Sequence, residues 1–261
     1  VFDDAQVFDD AKVYDNAKVC GNARVYNNVE VSMNALVCDN SNVYGGAKVF
    51  GKSKVFGAAT VCGKAKIYDD TEVYGNAYIF DHAEIGGNTK VYDDAQVFDD
   101  AHIFGKTEIY GKAFVCCDAW VFDHAQVFDK ATVYGNARVF GNAQVFDKAT
   151  VYGNATIFEN AFVSDNAEVY GNAEVCGNAE VCGDAEICGN AVISSSDDYA
   201  LFKMNMGREI YITWTKSNNM WKVGTFYGTE DELVQKAYED SEESGKHYEM
   251  CVKLIKETNS I

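Results

Sequence analysis

The chain has 261 residues, enough for one elongated domain and a second small one. Its 22 basic and 40 acidic residues give a formal net charge of −18, which excludes the basic footprint that nucleic-acid phosphates or anionic membranes require. Only −2 of this charge falls on residues 199–261, so the acidic surplus belongs to the first 198 residues. We therefore expect a protein partner with a basic surface, and neither direct nucleic-acid binding nor membrane binding.

Nine cysteines are present, an odd number that does not suggest a disulfide framework. Only Cys20 and Cys38 are separated by 18 residues, the spacing that would stack them in the repeat described below. Cys176, Cys182 and Cys188 are six residues apart and would fall on three different sides. This usage predicts a reducing compartment, the cytoplasm of a bacterial host cell.

The N-terminal part is an uninterrupted six-residue repeat. From Val1 to Ile187 every sixth residue is Val or Ile, which makes 32 units without an insertion. The fifth position is Ala in 26 units, the third is mostly Gly or Asp, and the fourth is often Asn or Asp. A period held this long predicts a solenoid.

Each position of the unit has a physical role. The fifth residue of one unit and the first of the next are two apart along a short strand, so both point inward. Gly, Asp and Asn tolerate a left-handed backbone and form the corner between strands. Three units then close a triangular coil of 18 residues, and residues 1–193 form between ten and eleven coils, a rod roughly 50 Å long at ~4.8 Å per coil.

The units resemble those of the hexapeptide-repeat family, as in residues 133–138 (VYGNAR) and 145–150 (VFDKAT). The resemblance implies a left-handed parallel β-helix, and the handedness rests on it alone. Among such proteins the chain most resembles bacterial and phage Val-Tyr-Gly-Asn-Ala repeat proteins, which are often labelled acyltransferases.

The second position departs from the family pattern, in which a small residue is usual. Here it is Phe or Tyr in 22 units, and strand alternation places it outside or at the corner. Rings 18 residues apart should stack, which predicts three ladders that either join coil to coil or form a surface for a partner or for self-association. The ladders are Tyr74, Tyr92, Tyr110, Phe128 and Phe146; Phe104, Phe122, Phe140 and Phe158; and Tyr134, Tyr152 and Tyr170.

The sixth position also points outward, and its chemistry changes along the rod. It carries Lys or Arg near the N-terminus, aromatic residues such as Trp120 in the middle, and glutamates at the end. The glutamates predict either a solvated end or an acidic collar that docks a basic partner. The collar consists of Glu168, Glu174, Glu180 and Glu186.

The repeat stops at Ile193, and residues 194–198 (SSSDD) form a predicted linker to an α+β domain over residues 199–261. Short strands are predicted at Tyr199–Met204, Glu209–Thr215 and Trp221–Phe226. Residues 229–232 (TEDE) form a capping box that should begin a helix, and a second helix is predicted after Gly245. This domain is expected to cap the last coil, or else to be a recognition or oligomerisation head with Trp214, Trp221 and Tyr227 as anchors.

Enzymatic chemistry has little support in the sequence. Hexapeptide acyltransferases use a general-base His beside an acyl-carrier cofactor, but the solenoid histidines are His82 and His124 at corners and His102 at an outward position, without a clear orienting carboxylate. Adjacent carboxylates such as Asp93-Asp94 are better explained by turns than by Ca²⁺ binding. No phosphate-binding loop, Cys/His zinc motif or nucleophile elbow is present, so we expect no catalytic, cofactor or metal residues.

We therefore predict a non-enzymatic acidic β-solenoid that binds a protein partner. One version is a phage or mobile-element inhibitor that imitates nucleic-acid charge and occupies a basic cleft of a host protein. The alternatives are a trimeric hexapeptide-repeat acyltransferase and a self-assembling structural scaffold that forms a trimer or a filament. A homo-oligomer, either a dimer or a trimer, is among the expected assemblies.

Overall fold

The computed structural model describes residues 1–258. The sixth residue of each unit and the first residue of the next form a two-residue strand, beginning with β1 (Gln6–Val7), β2 (Lys12–Val13) and β3 (Lys18–Val19). A further strand follows every six residues up to β31 (Glu186–Ile187) and β32 (Val192–Ile193). The predicted repeat is thus a regular series of very short strands.

Three parallel sheets form the sides of the solenoid. They contain 11, 11 and 10 strands and begin with β1, β2 and β3 respectively. Each strand pairs in parallel with the strand 18 residues later, as Thr132 does with Thr150. The predicted three-sided solenoid of about ten coils is confirmed, and its handedness stays a prediction.

The first and fifth positions fill the interior as predicted. From Val19 to Ile193 every Val, Ile and Ala at these positions is fully buried. The Ser and Thr residues that replace Ala are buried too, and Thr71 Oγ1 donates a hydrogen bond to the carbonyl of Tyr68 at 2.7 Å. The narrow interior therefore accepts a small hydroxyl because a local carbonyl satisfies it.

The third position turns every corner with a positive φ, whether it holds Gly, Asp or another residue. Many of the aspartates also bond the next coil: the Asp39 carboxylate accepts from Gly57 N at 3.0 Å, and Asp165 accepts from Gly183 N at 2.9 Å. These aspartates therefore serve the corner, as the sequence indicated.

The C-terminal domain contains an antiparallel sheet and two helices. A 3₁₀ turn (Ser196–Asp198) leads into β33 (Tyr199–Asn205), followed by β34 (Glu209–Thr215), β35 (Met220–Val223) and β36 (Phe226–Gly228). Helices α1 (Glu230–Asp240) and α2 (Glu242–Thr258) complete it. No helix in residues 1–258 is long and apolar enough to cross a bilayer.

Two predicted elements of this domain differ in the structure. The strand expected at Trp221–Phe226 is two strands, because Gly224 adopts a φ of +52° and the chain turns back so that Val223 pairs with Phe226. The second helix begins at Glu242 rather than after Gly245. The capping box at the start of α1 is confirmed, with Glu232 N donating to Thr229 Oγ1 at 3.4 Å.

The domain closes the end of the solenoid. In each coil backbone N–H groups donate to carbonyls of the following coil, so those of the last coil have no such partner. Side-chain oxygens of residues 196–217 accept from five of them. The pairs are Glu180 N with Ser196 Oγ (3.1 Å), Cys182 N with Tyr199 Oη (3.2 Å), Glu186 N with Thr213 Oγ1 (2.9 Å), Val192 N with Ser217 Oγ (2.7 Å) and Ser194 N with Asp198 Oδ2 (2.8 Å).

Candidate partner-binding surface

The aromatic ladders form as predicted. In the ladder from Tyr74 to Phe146 neighbouring ring centroids lie 4.8–5.0 Å apart and the planes deviate by at most 2°. The ladders from Phe104 to Phe158 and from Tyr134 to Tyr170 stack in the same way. Because each ring covers its neighbour's face, these side chains are half-buried, and the ladders hold coil to coil.

The predicted acidic collar is spread over all three sides, and its members differ in availability. Glu168 and Glu186 are direct neighbours on adjacent coils, and Tyr152 and Tyr170 respectively donate hydrogen bonds to them at 3.3 Å. Glu186 also forms an ion pair of 2.9 Å with Lys222 of the C-terminal domain. Glu174 and Glu180 are exposed. The domain therefore takes up one of the four carboxylates for its own attachment.

Two of the three predicted anchors in the C-terminal domain belong to its core, which corrects the expectation that they contact a partner. Trp214 is 5% exposed and Trp221 is 1% exposed, because one face of the sheet packs beneath the helices. Trp214 Nε1 donates to Asn219 Oδ1 at 2.9 Å. Tyr227 is 40% exposed, but its hydroxyl lies over Gly189 in the space that a Cβ there would fill. Tyr227 thus contributes to the contact with the last coil.

Beyond the first coil, where Phe2 and Tyr14 are more exposed still, the most accessible aromatic side chains of the solenoid lie on one coil. Phe114 (37% exposed) and Trp120 (38% exposed) are the only exposed aromatic residues between positions 19 and 193. They belong to consecutive strands, β19 (Phe114–Val115) and β20 (Trp120–Val121), on two adjacent sides of the rod. We call residues 114–120 the aromatic corner.

Neighbouring residues on the adjacent coils support one side of the aromatic corner. The ring of His102 stacks on Trp120 with centroids 4.7 Å apart, and Phe104 meets Trp120 edge to face at 5.6 Å. Nδ1 of His102 is buried without a hydrogen-bond partner among the described residues. Arg138 pairs with Trp120 on the next coil and forms no ion pair in residues 1–258. Trp120 is therefore held in place by its neighbours, with one part left open to solvent.

The turn inside the aromatic corner interrupts a ladder. On this edge Phe80 and Phe98 stack at 4.6 Å, Cys116 takes the next place, and Tyr134 begins a new stack. Sγ of Cys116 lies 3.8 Å from Sγ of Cys117. Burial, together with the adjacent Cys117, raises the pKa of Cys116 to about 12. The Cys116 thiol is thus neutral near pH 7.

The sequence search for metal ligands missed a cluster at this turn. One ligand atom each of Asp99, Cys116 and Cys117 lie within 4.8 Å of one another, and all three residues are half-buried. Asp99 comes from the preceding coil, 18 residues before Cys117. The adjacent cysteines and this coil-length separation were the signals that could have revealed the cluster.

The histidines do not combine with either of two surface grooves into a catalytic arrangement. His82 and His124 are exposed corner residues. A groove of about 620 Å³ follows one edge and is lined by alternating Lys112, Lys130, Lys148 and aspartates. A cleft of about 410 Å³ between the sheet and helices of the C-terminal domain includes Arg208 and Lys236. Neither space is lined by a histidine.

Comparison with known proteins agrees with the architecture. Residues 125–147, a little more than one coil, match the family model described as the YdcK β-solenoid repeat. A comparison with curated proteins finds no match. The family match and the three parallel sheets together support a β-solenoid repeat protein with a small C-terminal domain.

Proposed function

We propose that the chain is a non-enzymatic scaffold whose rigid solenoid presents the aromatic corner to a protein partner. The observation that carries this proposal is the exposure of Phe114 and Trp120 on a single coil, in a rod whose other rings shield one another beyond the first coil. Exposed aromatic side chains, Trp above all, are enriched where proteins bind one another.

The charges around the aromatic corner indicate the chemistry of the partner. Asp100 and Asp118 are exposed corner residues on the same edge, and Asp99 is half-buried between them. The rim is acidic on this edge, while the exposed Arg138 adjoins Trp120 on the next coil. An apolar centre with such a rim fits a protein whose apolar pocket is bordered mainly by Lys and Arg. The apolar centre supplies most of the affinity, and the rim favours basic partners.

The experiment compares retention of proteins from a native host lysate on three immobilised chains. The first is wild type, the second is Phe114→Ala/Trp120→Ala, and the third is Phe162→Ala, a half-buried aromatic at the same repeat position on the third side. We expect a protein that wild type and Phe162→Ala retain equally and that the double variant retains at least tenfold less. Equal retention of every protein by all three chains would contradict the proposal. A protein retained by wild type supports the proposal only if the double variant retains less of it.

A narrower form of the proposal is that the partner offers a basic nucleic-acid-binding cleft. It is supported by the charge of −16 on residues 1–198 and by the recurrence of aspartate at the corners. Binding of this kind should weaken steeply with salt, and duplex DNA should compete for the purified partner. Salt-independent binding would contradict this narrower form and leave only the proposal that the partner binds the exposed rings of the aromatic corner. Light scattering and thermal shift with acyl-coenzyme A test the self-assembly and acyltransferase alternatives.

A further inference from the structure

We propose that Asp99, Cys116 and Cys117 form a binding site for a thiophilic divalent cation, Zn²⁺ or Cd²⁺, that joins two consecutive coils. The site combines two sulfur ligands from one corner with one carboxylate from the corner before it. Sulfur ligands favour these ions over Ca²⁺ and Mg²⁺, which bind oxygen.

The distance between the two sulfur atoms fits such an ion. In tetrahedral coordination with Zn–S bonds of about 2.3 Å, two sulfur ligands lie about 3.8 Å apart. The Sγ atoms of Cys116 and Cys117 are 3.8 Å apart. One oxygen of the Asp99 carboxylate lies within 4.8 Å of both sulfur atoms. The three ligands leave one position for water or for a partner's side chain.

Cys117 stands where the repeat uses other residues, whereas Cys116 occupies the second position, which holds Cys in seven of the 32 units. Cys117 occupies the third position with a φ of +59°, where the neighbouring corners on this edge hold Asp99 and Gly135. Positive φ is common to all corners of the rod, and the other non-glycine residues that adopt it at third positions are, apart from Met33, Asp, Asn or Glu. Cys116 interrupts the aromatic ladder of this edge. Neither thiol is what the fold itself requires at its position.

The backbone at this corner also departs from the repeat. Along this edge the fourth residue of a unit donates its N–H to the third residue of the next coil, as His82 does to Asp99 and Asn136 to Gly153. Between Asn28 and Asn172 the described chain forms every one of these backbone hydrogen bonds except two. The missing bonds are those from Asp100 N to Cys117 O and from Asp118 N to Gly135 O. The two missing bonds flank Cys117, so this corner is held less tightly by its backbone, and a cation there would restore the link between coils.

The experiment uses the full chain, kept reduced with a phosphine, and titrates it with Zn²⁺ and Cd²⁺ alone. We expect one equivalent to bind, an ultraviolet thiolate-to-cadmium charge-transfer band, and a higher melting temperature. Cys117→Gly and Cys116→Phe install the residue types that neighbouring coils use, Gly135 and Phe98, so they should fold and lose the band. Asp99→Asn should keep the band and weaken binding at least tenfold.

The matched control is Cys20→Ser/Cys38→Ser, which removes the stacked cysteine pair that has no clustered third ligand within residues 1–258. This control should bind the cation as wild type does. The proposal is overturned if wild type shows no charge-transfer band, if Cys117→Gly binds the same equivalent as wild type, or if Asp99→Asn leaves the affinity unchanged. None of these results depends on a protein partner, so they do not bear on the aromatic corner as a docking surface.

Discussion

The tyrosine rings of the longest ladder lie in an environment that opposes their ionisation. Burial is the main cause that raises the pKa values of Tyr74, Tyr92 and Tyr110 above the ordinary value near 10. The carboxylate of Glu108 adds to the shift at all three rings. The folded state therefore prefers neutral tyrosines more strongly than the unfolded state does.

This preference predicts a loss of stability at alkaline pH. A raised pKa contributes stability that is fully present below the unfolded value of about 10 and is lost as pH rises through the folded value. We expect the melting temperature to fall as the pH rises from about 10 towards 12, and to fall less in Tyr92→Phe/Tyr110→Phe. Phe is accepted in this ladder, where Phe128 and Phe146 already stack. Circular dichroism measures the melting temperature at each pH. An identical decline of the melting temperature in wild type and variant would contradict the prediction.

At the level of the helix, Gly245 is an example of a residue that side-chain packing retains although glycine disfavours helices. It lies within α2 and is buried, and the ring of Tyr238 from α1 occupies the space that a Cβ at position 245 would need. Glycine inside a helix normally costs about 1 kcal/mol relative to alanine. Here the close approach of the two helices offsets that cost.

The contact predicts that one substitution has opposite effects in two backgrounds. Gly245→Ala should lower the stability of the C-terminal domain in wild type, because the new methyl group displaces the Tyr238 ring. In a Tyr238→Ala background the same change should raise stability by about 1 kcal/mol through helix propensity. Chemical denaturation of the four members of this cycle measures the coupling. Stabilisation in both backgrounds would show that the ring moves aside freely.

These elements show how far the sequence could predict the structure. The solenoid strands were predicted because a six-residue period permits one register, in which Val, Ile and Ala face inward. The boundary between β35 and β36 was missed because Val223 and Phe226 continue an apolar stretch across Gly224. The start of α2 was placed too late because glycine disfavours helices, and the Tyr238 contact that retains Gly245 comes from another element.

The candidate sites were less predictable because they too depend on contacts with residues from other coils or elements. Trp120 was identified from its outward position, but its exposure relative to the stacked rings depends on neighbours from other coils, such as His102. The cation cluster joins Asp99 to cysteines one coil later, a separation outside the spacings of common zinc motifs. In a solenoid, residues 18 apart are nearest neighbours, so ligand spacing has to be counted in coils.

For the whole molecule, the C-terminal domain stabilises the rod by satisfying its last coil. Unpaired N–H groups at the end of a parallel sheet invite further strands, and side-chain oxygens of this domain occupy them. The Lys222–Glu186 ion pair, in which the Lys222 side chain is 11% exposed, and the contact of Leu201 and Tyr199 with the solenoid core add to the attachment. The domain therefore covers the end of the solenoid and satisfies its exposed strand edges.

This cap predicts a local change in hydrogen exchange. Thr213→Val/Ser217→Ala removes the oxygens that accept from Glu186 N (2.9 Å) and Val192 N (2.7 Å) while Thr213→Val keeps the volume of a 2%-exposed side chain. A buried N–H left without its acceptor costs about 1–3 kcal/mol, so the part-buried amide of Glu186 should exchange roughly tenfold to hundredfold faster. The amide of Val192, an exposed residue, can bond to water instead and should accelerate less. Thr132 N, which donates to Ala149 O at 2.9 Å in the middle of the rod, provides the internal control and should be unaffected. Because the uncovered strands become available for pairing, sedimentation should also show end-to-end association at high concentration. Unchanged exchange rates at both amides would mean that packing alone, without these hydrogen bonds, closes the solenoid.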